Sequence, residues 1–168
     1  MRQTNLQSFN QKDIVTIIEP FLLAWGKMGR VLGHAGCKHI GNVLKSISGD
    51  LFDFRFYYIE KDLADVNNVA KIFETVMDST FKSDLGATKR IGPTATSKVL
   101  HLIAPDFFVM WDDDIMKFKY EEPTYVRGSH YEKFLSDMKQ LLERLNPTVT
   151  AFSEKYGKTK TKIIDEYN

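Results

Sequence analysis

The sequence predicts an all-α fold, a compact helical bundle. Apolar residues recur at spacings of three and four along most of the chain, and Gly, Pro, Asn and Asp punctuate those stretches at their ends. Alternation with a period of two is confined to one short aromatic segment. At 168 residues with 43% hydrophobic content, the chain is long enough for a single domain with a real core, built as one body or as two small lobes around a cleft.

The first helix is expected through Ile14, Ile17, Ile18, Phe21, Leu22 and Trp25, capped by Asn10 or Asp13 and kinked at Pro20, with Gly26 and Gly29 marking its end. A second is expected over His34 to Ile47, with Ile40, Val43, Leu44 and Ile47 on one face and Ser48-Gly49-Asp50 closing it. From Leu51 to Ile59, Phe52, Phe54 and Phe56 alternate with Asp53 and Arg55. That is a strand period, but no partner strand exists, so an aromatic connector or short helix fits equally well. These rings suit either core packing or stacking on bases. A third helix is expected over Leu63–Met77, followed by a polar link from Asp78 to Thr88. Further helices are expected after Gly92, over His130–Leu145, and from Thr148 to Tyr167. Asn146-Pro147 is read as a break and Gly157 as another.

Net charge is +1 and the isoelectric point is near 7.8, which excludes a protein that coats nucleic acid by bulk charge. Lys and Arg cluster locally, around 82–98 and 155–162. The single cysteine, Cys37, excludes an internal disulfide and suits a reducing compartment. It lies between His34 and His39, yet the set matches no familiar zinc spacing, and no bound metal or cofactor is expected. No apolar run is long enough to span a bilayer and the N-terminus has no apolar signal core, so a cytoplasmic protein with no membrane partner is expected. His101 and His130 sit in no recognisable catalytic pattern and are read as core or surface residues.

Function is sought in residues 88–115. Gly92-Pro93 opens a helix well: glycine adopts a turn that other residues resist, and proline needs no amide partner at the first helical position. The amides of that turn carry partial positive charge suited to a phosphate. Lys89, Arg90, Gly92, Thr94 and Lys98 are therefore the candidate nucleic-acid contacts. The same segment also fits a plain core helix through Val99, Leu102 and Ile103. Beyond Ala104-Pro105-Asp106, the apolar run Phe107 to Trp111 delivers Asp112. An acid after such a run can be partly desolvated and made useful, or can simply cap the helix that follows.

Gly92-Pro93-Thr94-Ala95-Thr96-Ser97-Lys98-Val99-Leu100, followed by Trp111-Asp112-Asp113-Asp114-Ile115, resembles the helix-hairpin-helix DNA glycosylase superfamily. The resemblance implies an all-α protein that binds DNA through hairpin amides and extrudes a base between two lobes. It places Asp112 at the catalytic acid and Gly92 at the second hairpin glycine. The first hairpin glycine falls on Arg90, and the lysine of the bifunctional members falls on Thr94, so a lyase step is not implied. Lys98, one turn further on the same face, is the candidate substitute. Trp111, Phe107 and Tyr125 are the candidate aromatic walls of a base pocket. The competing expectations are a nucleic-acid-binding module without chemistry, a protein-interaction module using the terminal lysines, and a metal-dependent phosphodiesterase on Asp112, Asp113, Asp114 and Asp106. The last is disfavoured, because adjacent side chains on a helix diverge by about 100°.

Overall fold

The computed structural model of the protein describes residues 17–24, 28–111 and 126–167. The described chain is mainly helical, with one two-stranded ribbon. Helix α1, Glu19–Ala24, carries Pro20 in its first turn, where the missing amide costs nothing. The proposed cap residues Asn10 and Asp13, along with Trp25 and Gly26, lie outside the described residues.

Helix α2, Met28–Ser46, starts earlier than expected but is bent at Gly33 (φ 57°, ψ −170°), next to the expected start at His34. Two features there demand glycine. The φ is left-handed, and an added Cβ would lie 2.6 Å from Asp84 Oδ2. Leu32, Cys37, Ile40 and Leu44 form its buried stripe.

The ambiguous aromatic stretch is helical. It forms α3 (Ser48–Phe52), a 3-10 turn (Asp53–Phe56) and α4 (Ile59–Asp62). With no partner strand to satisfy its backbone, local hydrogen bonding wins. Helix α5 is Val69–Met77, shorter than the expected Leu63–Met77. Asn67 and Asn68 have low helix propensity, and the helix starts after them. Asn68 contributes its carbonyl to Ile72 N–H at 2.9 Å.

The expected polar link holds the departure from an all-helical chain. Strands β1 (Thr80–Lys82) and β2 (Thr88–Arg90) pair antiparallel, Thr80 opposite Arg90 and Lys82 opposite Thr88. A short hairpin needs burial on one face to persist. Phe81 supplies it, pressed against α2 at Gly36, where a Cβ would lie 2.8 Å from the Phe81 ring. Gly86, at φ 82°, turns the tip.

Helix α6, Pro93–Ile103, follows Gly92 as the sequence predicts. Helix α7, Gly128–Tyr156, runs straight through Pro147, correcting the expected break at Asn146-Pro147. An internal proline costs about 3 kcal/mol. Buried Leu142 and Val149 on either side of it, with α8 packed alongside, hold the helix together. It ends at Gly157 (φ 61°, ψ 32°), whose amide bonds Ser153 O. Helix α8, Lys160–Tyr167, folds back onto it and buries Ile163 and Ile164.

Helices α5 and α7 cap each other. Glu132 Oε1 on α7 accepts Ala70 N–H at the start of α5 (3.0 Å), and Glu74 Oε1 on α5 accepts Gly128 N–H at the start of α7 (2.7 Å). Each carboxylate thus meets the positive end of the other helix. The exchange requires near contact of backbones at Gly128, where an added Cβ would lie 2.4 Å from Ala70 O. Gly128→Ala should therefore lower the unfolding free energy by about 1–3 kcal/mol, as overpacking does. Urea denaturation checks it, and an unchanged midpoint contradicts the close approach.

Candidate functional site

The start of α6 is built as the sequence suggests. Gly92 sits at φ 80°, ψ 167°, and Pro93 occupies the first turn. Gly92 N–H donates to Met77 O (3.0 Å) and Ile91 N–H to Ser79 O (3.1 Å), so the end of α5 fixes where α6 begins. Thr96 Oγ1 returns a bond to Gly92 O (2.8 Å). The space where a Gly92 Cβ would stand is open.

The candidate cations divide. Lys89 Nζ donates to Val31 O (3.2 Å), tying the ribbon to α2. Arg90 pairs with Asp78 at 3.1 Å, both about 40% exposed. Arg90, which the resemblance aligned with the first hairpin glycine, is thus a paired residue in a strand. Thr94 and Lys98 lie half-buried one turn apart on α6.

The aromatic candidates are core residues. Phe107 and Trp111 are fully buried. Trp111 stacks on Phe134 with ring centroids 5.5 Å apart and lies 5.7 Å from Tyr131, while Phe107 meets Phe54 at 5.0 Å. Packed on these neighbours, neither offers an open face to a base, which corrects their expected role as pocket walls. The third wall residue, Tyr125, and the candidate acid Asp112, with Asp113, Asp114 and Ile115, lie outside the described residues.

The sequence analysis missed what holds Phe107–Trp111 in place. This run is buried without being helix or strand; the Phe107 and Phe108 amides turn back onto Ala104 O (3.1 and 3.0 Å), and groups further along need side-chain partners. Three supply them. His101 Nδ1 bonds Phe108 O (2.7 Å), Tyr131 Oη donates to Val109 O (2.7 Å), and Ser97 Oγ accepts Trp111 N–H (2.9 Å). The Ser97 hydroxyl also lies 3.0 Å from Trp111 O and 3.1 Å from Thr94 O, the two acceptors for its single proton. Ser97 and His101 are four apart on the buried face of α6. Two polar residues at that spacing on an apolar face were the available signal. The chain reaching Trp111 is thereby anchored one turn inside the Gly92 helix start.

Burial shifts the ionisable groups nearby. It lowers the His101 pKa, against smaller opposing pulls from the Phe108 carbonyl, Asp165 and Asp106, while Lys162 adds to the lowering. It raises that of Asp106, helped by Glu60. Tyr131 is pushed well up by burial alone. Cys37, raised to about 11 by burial and then by Glu19 and Asp84, is a thiol at neutral pH and a packing residue. Its neighbours serve elsewhere: His34 Nδ1 pairs with Glu19, and His39 stacks on Phe81 at 5.9 Å. His130 Nδ1 accepts Arg127 N–H (3.0 Å) at the start of α7. Among the described residues no group of three His, Cys, Asp or Glu could hold a metal ion.

The terminal lysines are mostly engaged within the chain. Lys158 pairs with Glu166 (2.7 Å), Lys160 with Glu60 (2.7 Å) and Lys162 with Asp165 (2.8 Å). Among the described residues no helix is long and apolar enough to cross a membrane. A cleft of about 530 Å³ opens between Leu63–Val69 and the α7 residues Glu132, Ser136 and Lys139, and it includes none of the candidate site residues. The chain matches no family model, no curated protein and no solved structure.

Two outcomes are expected. Ser97→Ala leaves the buried Trp111 amide without its acceptor and should cost about 1–3 kcal/mol in denaturant unfolding. A lowered folded-state pKa at His101 means that, below its ordinary value of 6.5, the unfolded chain takes up a proton that the folded chain resists. That part of the stability is complete above pH 6.5 and drains away as pH falls towards the folded value. His101→Asn, whose amide can still donate to Phe108 O, should flatten that slope. Equal slopes in thermal melts across that range would contradict it.

Proposed function

We propose that the protein binds DNA and acts as a base-excision glycosylase, hydrolysing the N-glycosidic bond of an extruded base with Asp112 as the acid residue. The observation that carries this reading is the Ser97 clamp on Trp111. It ties the residue preceding Asp112 to the helix whose first turn, at Gly92-Pro93, suits a phosphate.

In the proposed reaction the bond from C1′ to the base nitrogen breaks and the base leaves with its electron pair. The Asp112 carboxylate stabilises the positive charge that develops on the sugar. It then takes a proton from the water whose oxygen bonds C1′, and that proton passes to the departing base, which leaves neutral and restores the carboxylate. Thr94 in place of a lysine supports hydrolysis without strand cleavage. Lys98, one turn beyond Thr94, is suited to a backbone phosphate.

One observation favours a second reading, a nucleic-acid-binding module without chemistry. Phe107 and Trp111 are spent on the core, so a base pocket would have to be built from other residues. Duplexes carrying single lesions, assayed for free base, separate the two. Base excision predicts release that Asp112→Asn reduces by at least about a hundred-fold, the scale of a lost electrostatic or general-base contribution. The binding reading predicts no release but an affinity that falls with salt, with a log–log slope of about one per phosphate neutralised. Absence of DNA binding at low salt defeats both.

A further inference from the structure

The ribbon is held differently from the helices around it. Its strands are three residues each, too short to persist as an isolated hairpin. Within them only Phe81 is buried, set against α2 at Gly36. Lys89 Nζ adds one bond, to Val31 O (3.2 Å). An element with so little buried surface opens more readily than the core it rests on.

His39, one turn beyond Gly36 on α2, covers that anchor. Its ring stacks on Phe81, 5.9 Å between centroids and 27° between planes. Its Nε2 is sealed from solvent and has no hydrogen-bond partner among the described residues. The neutral ring tolerates this, because it can carry its proton on Nδ1 and leave a lone pair at Nε2. The charged ring must place an N–H there, where nothing accepts it, and must take its charge out of water.

Among the described residues no charge compensates. Helices α1, α3 and α5 and the ribbon pack against α2, yet burial by itself lowers the His39 pKa. Glu19 of α1 and Asp84 of the ribbon act on Cys37 instead, and Glu19 also pairs with His34. Lys89 is turned to Val31 O. The ribbon carries a second sealed polar atom, Ser83 Oγ, also without a partner.

We propose that His39 is a proton-operated catch, whose protonation in mild acid releases the ribbon from α2 while the helical core stays folded. Helices α5 and α7 hold each other without the ribbon, through Glu74 and Glu132. Once detached, so short a hairpin melts. The bond from Ile91 N–H to Ser79 O (3.1 Å) goes with it, and the start of α6 keeps only the Gly92 bond to Met77 O. Because burial lowers the pKa from 6.5, the catch is fully set above pH 6.5 and weakens as pH falls towards the folded value.

Amide hydrogen exchange followed by NMR tests this, with protection corrected for the intrinsic rate at each pH. The Ser83 and Ile91 amides bond Ala87 O and Ser79 O across the ribbon. They should be less protected than the Leu135 and Met138 amides of α7 throughout. Between about pH 7.5 and about pH 5 their protection should fall by about ten-fold for each pKa unit of lowering at His39. His39→Phe, which keeps a ring on Phe81, and His39→Gln cannot take up the proton, so both should remove the fall. His101→Asn should leave it unchanged. Ribbon amides that match α7 at every pH overturn the proposal, as does a fall that survives both His39 variants. So does a wild-type His39 ring that titrates in the folded protein at or above 6.5, a readout that needs no variant to fold.

Discussion

The fold depends on burying the run from Phe107 to Trp111 as irregular chain. Its side chains lie at the centre of the core, against Phe54, Phe73, Tyr131 and Phe134, and removing them from water is a large favourable term. A helix or sheet would satisfy its own backbone there. An irregular segment does so only in part: Phe107 and Phe108 N–H donate to Ala104 O, and the groups beyond them need side-chain partners or carry a desolvation penalty. Ser97, His101 and Tyr131 meet that demand from two helices. Moving α6 or α7 would break hydrogen bonds in the core as well as packing, so this segment sets the relative positions of both.

The same constraint explains why polar residues are tolerated deep inside. Burial disfavours the charged form of His101, which is oriented by a backbone carbonyl, and the Tyr131 hydroxyl spends its proton on Val109 O. The exchanged carboxylates of Glu74 and Glu132 do similar work at the edge of the core, each supplying an acceptor to the first turn of the other's helix. Gly128 is the steric condition for that exchange.

Several surface cations are engaged within the chain. Lys89, Arg90, Lys158, Lys160 and Lys162 all have partners in the chain, which limits what a near-neutral protein can offer a polyanion by charge alone. The proposed nucleic-acid ligand would then be met by a shaped feature, the helix start with open space at its glycine, more than by a basic field. That fits net charge +1 better than a broad electrostatic footprint does.

The sequence by itself determined the helical class, the start of α6 at Gly92-Pro93 and the end of α7 at Gly157. Each follows from spacing or from the backbone freedom of one residue, both local properties. It misplaced a break at Pro147, because burial of Leu142 and Val149 around the proline outweighs its local cost. It missed the ribbon, because Phe81 becomes a strand anchor only when Gly36 of α2 lies against it. It read Phe107 and Trp111 as possible walls, because an aromatic residue looks the same in sequence whether it faces solvent or core. Tertiary structure decided these points, along with the roles of Ser97, His101, Glu74 and Glu132. Every one depends on a partner from a different element, and no local pattern says which partner will arrive.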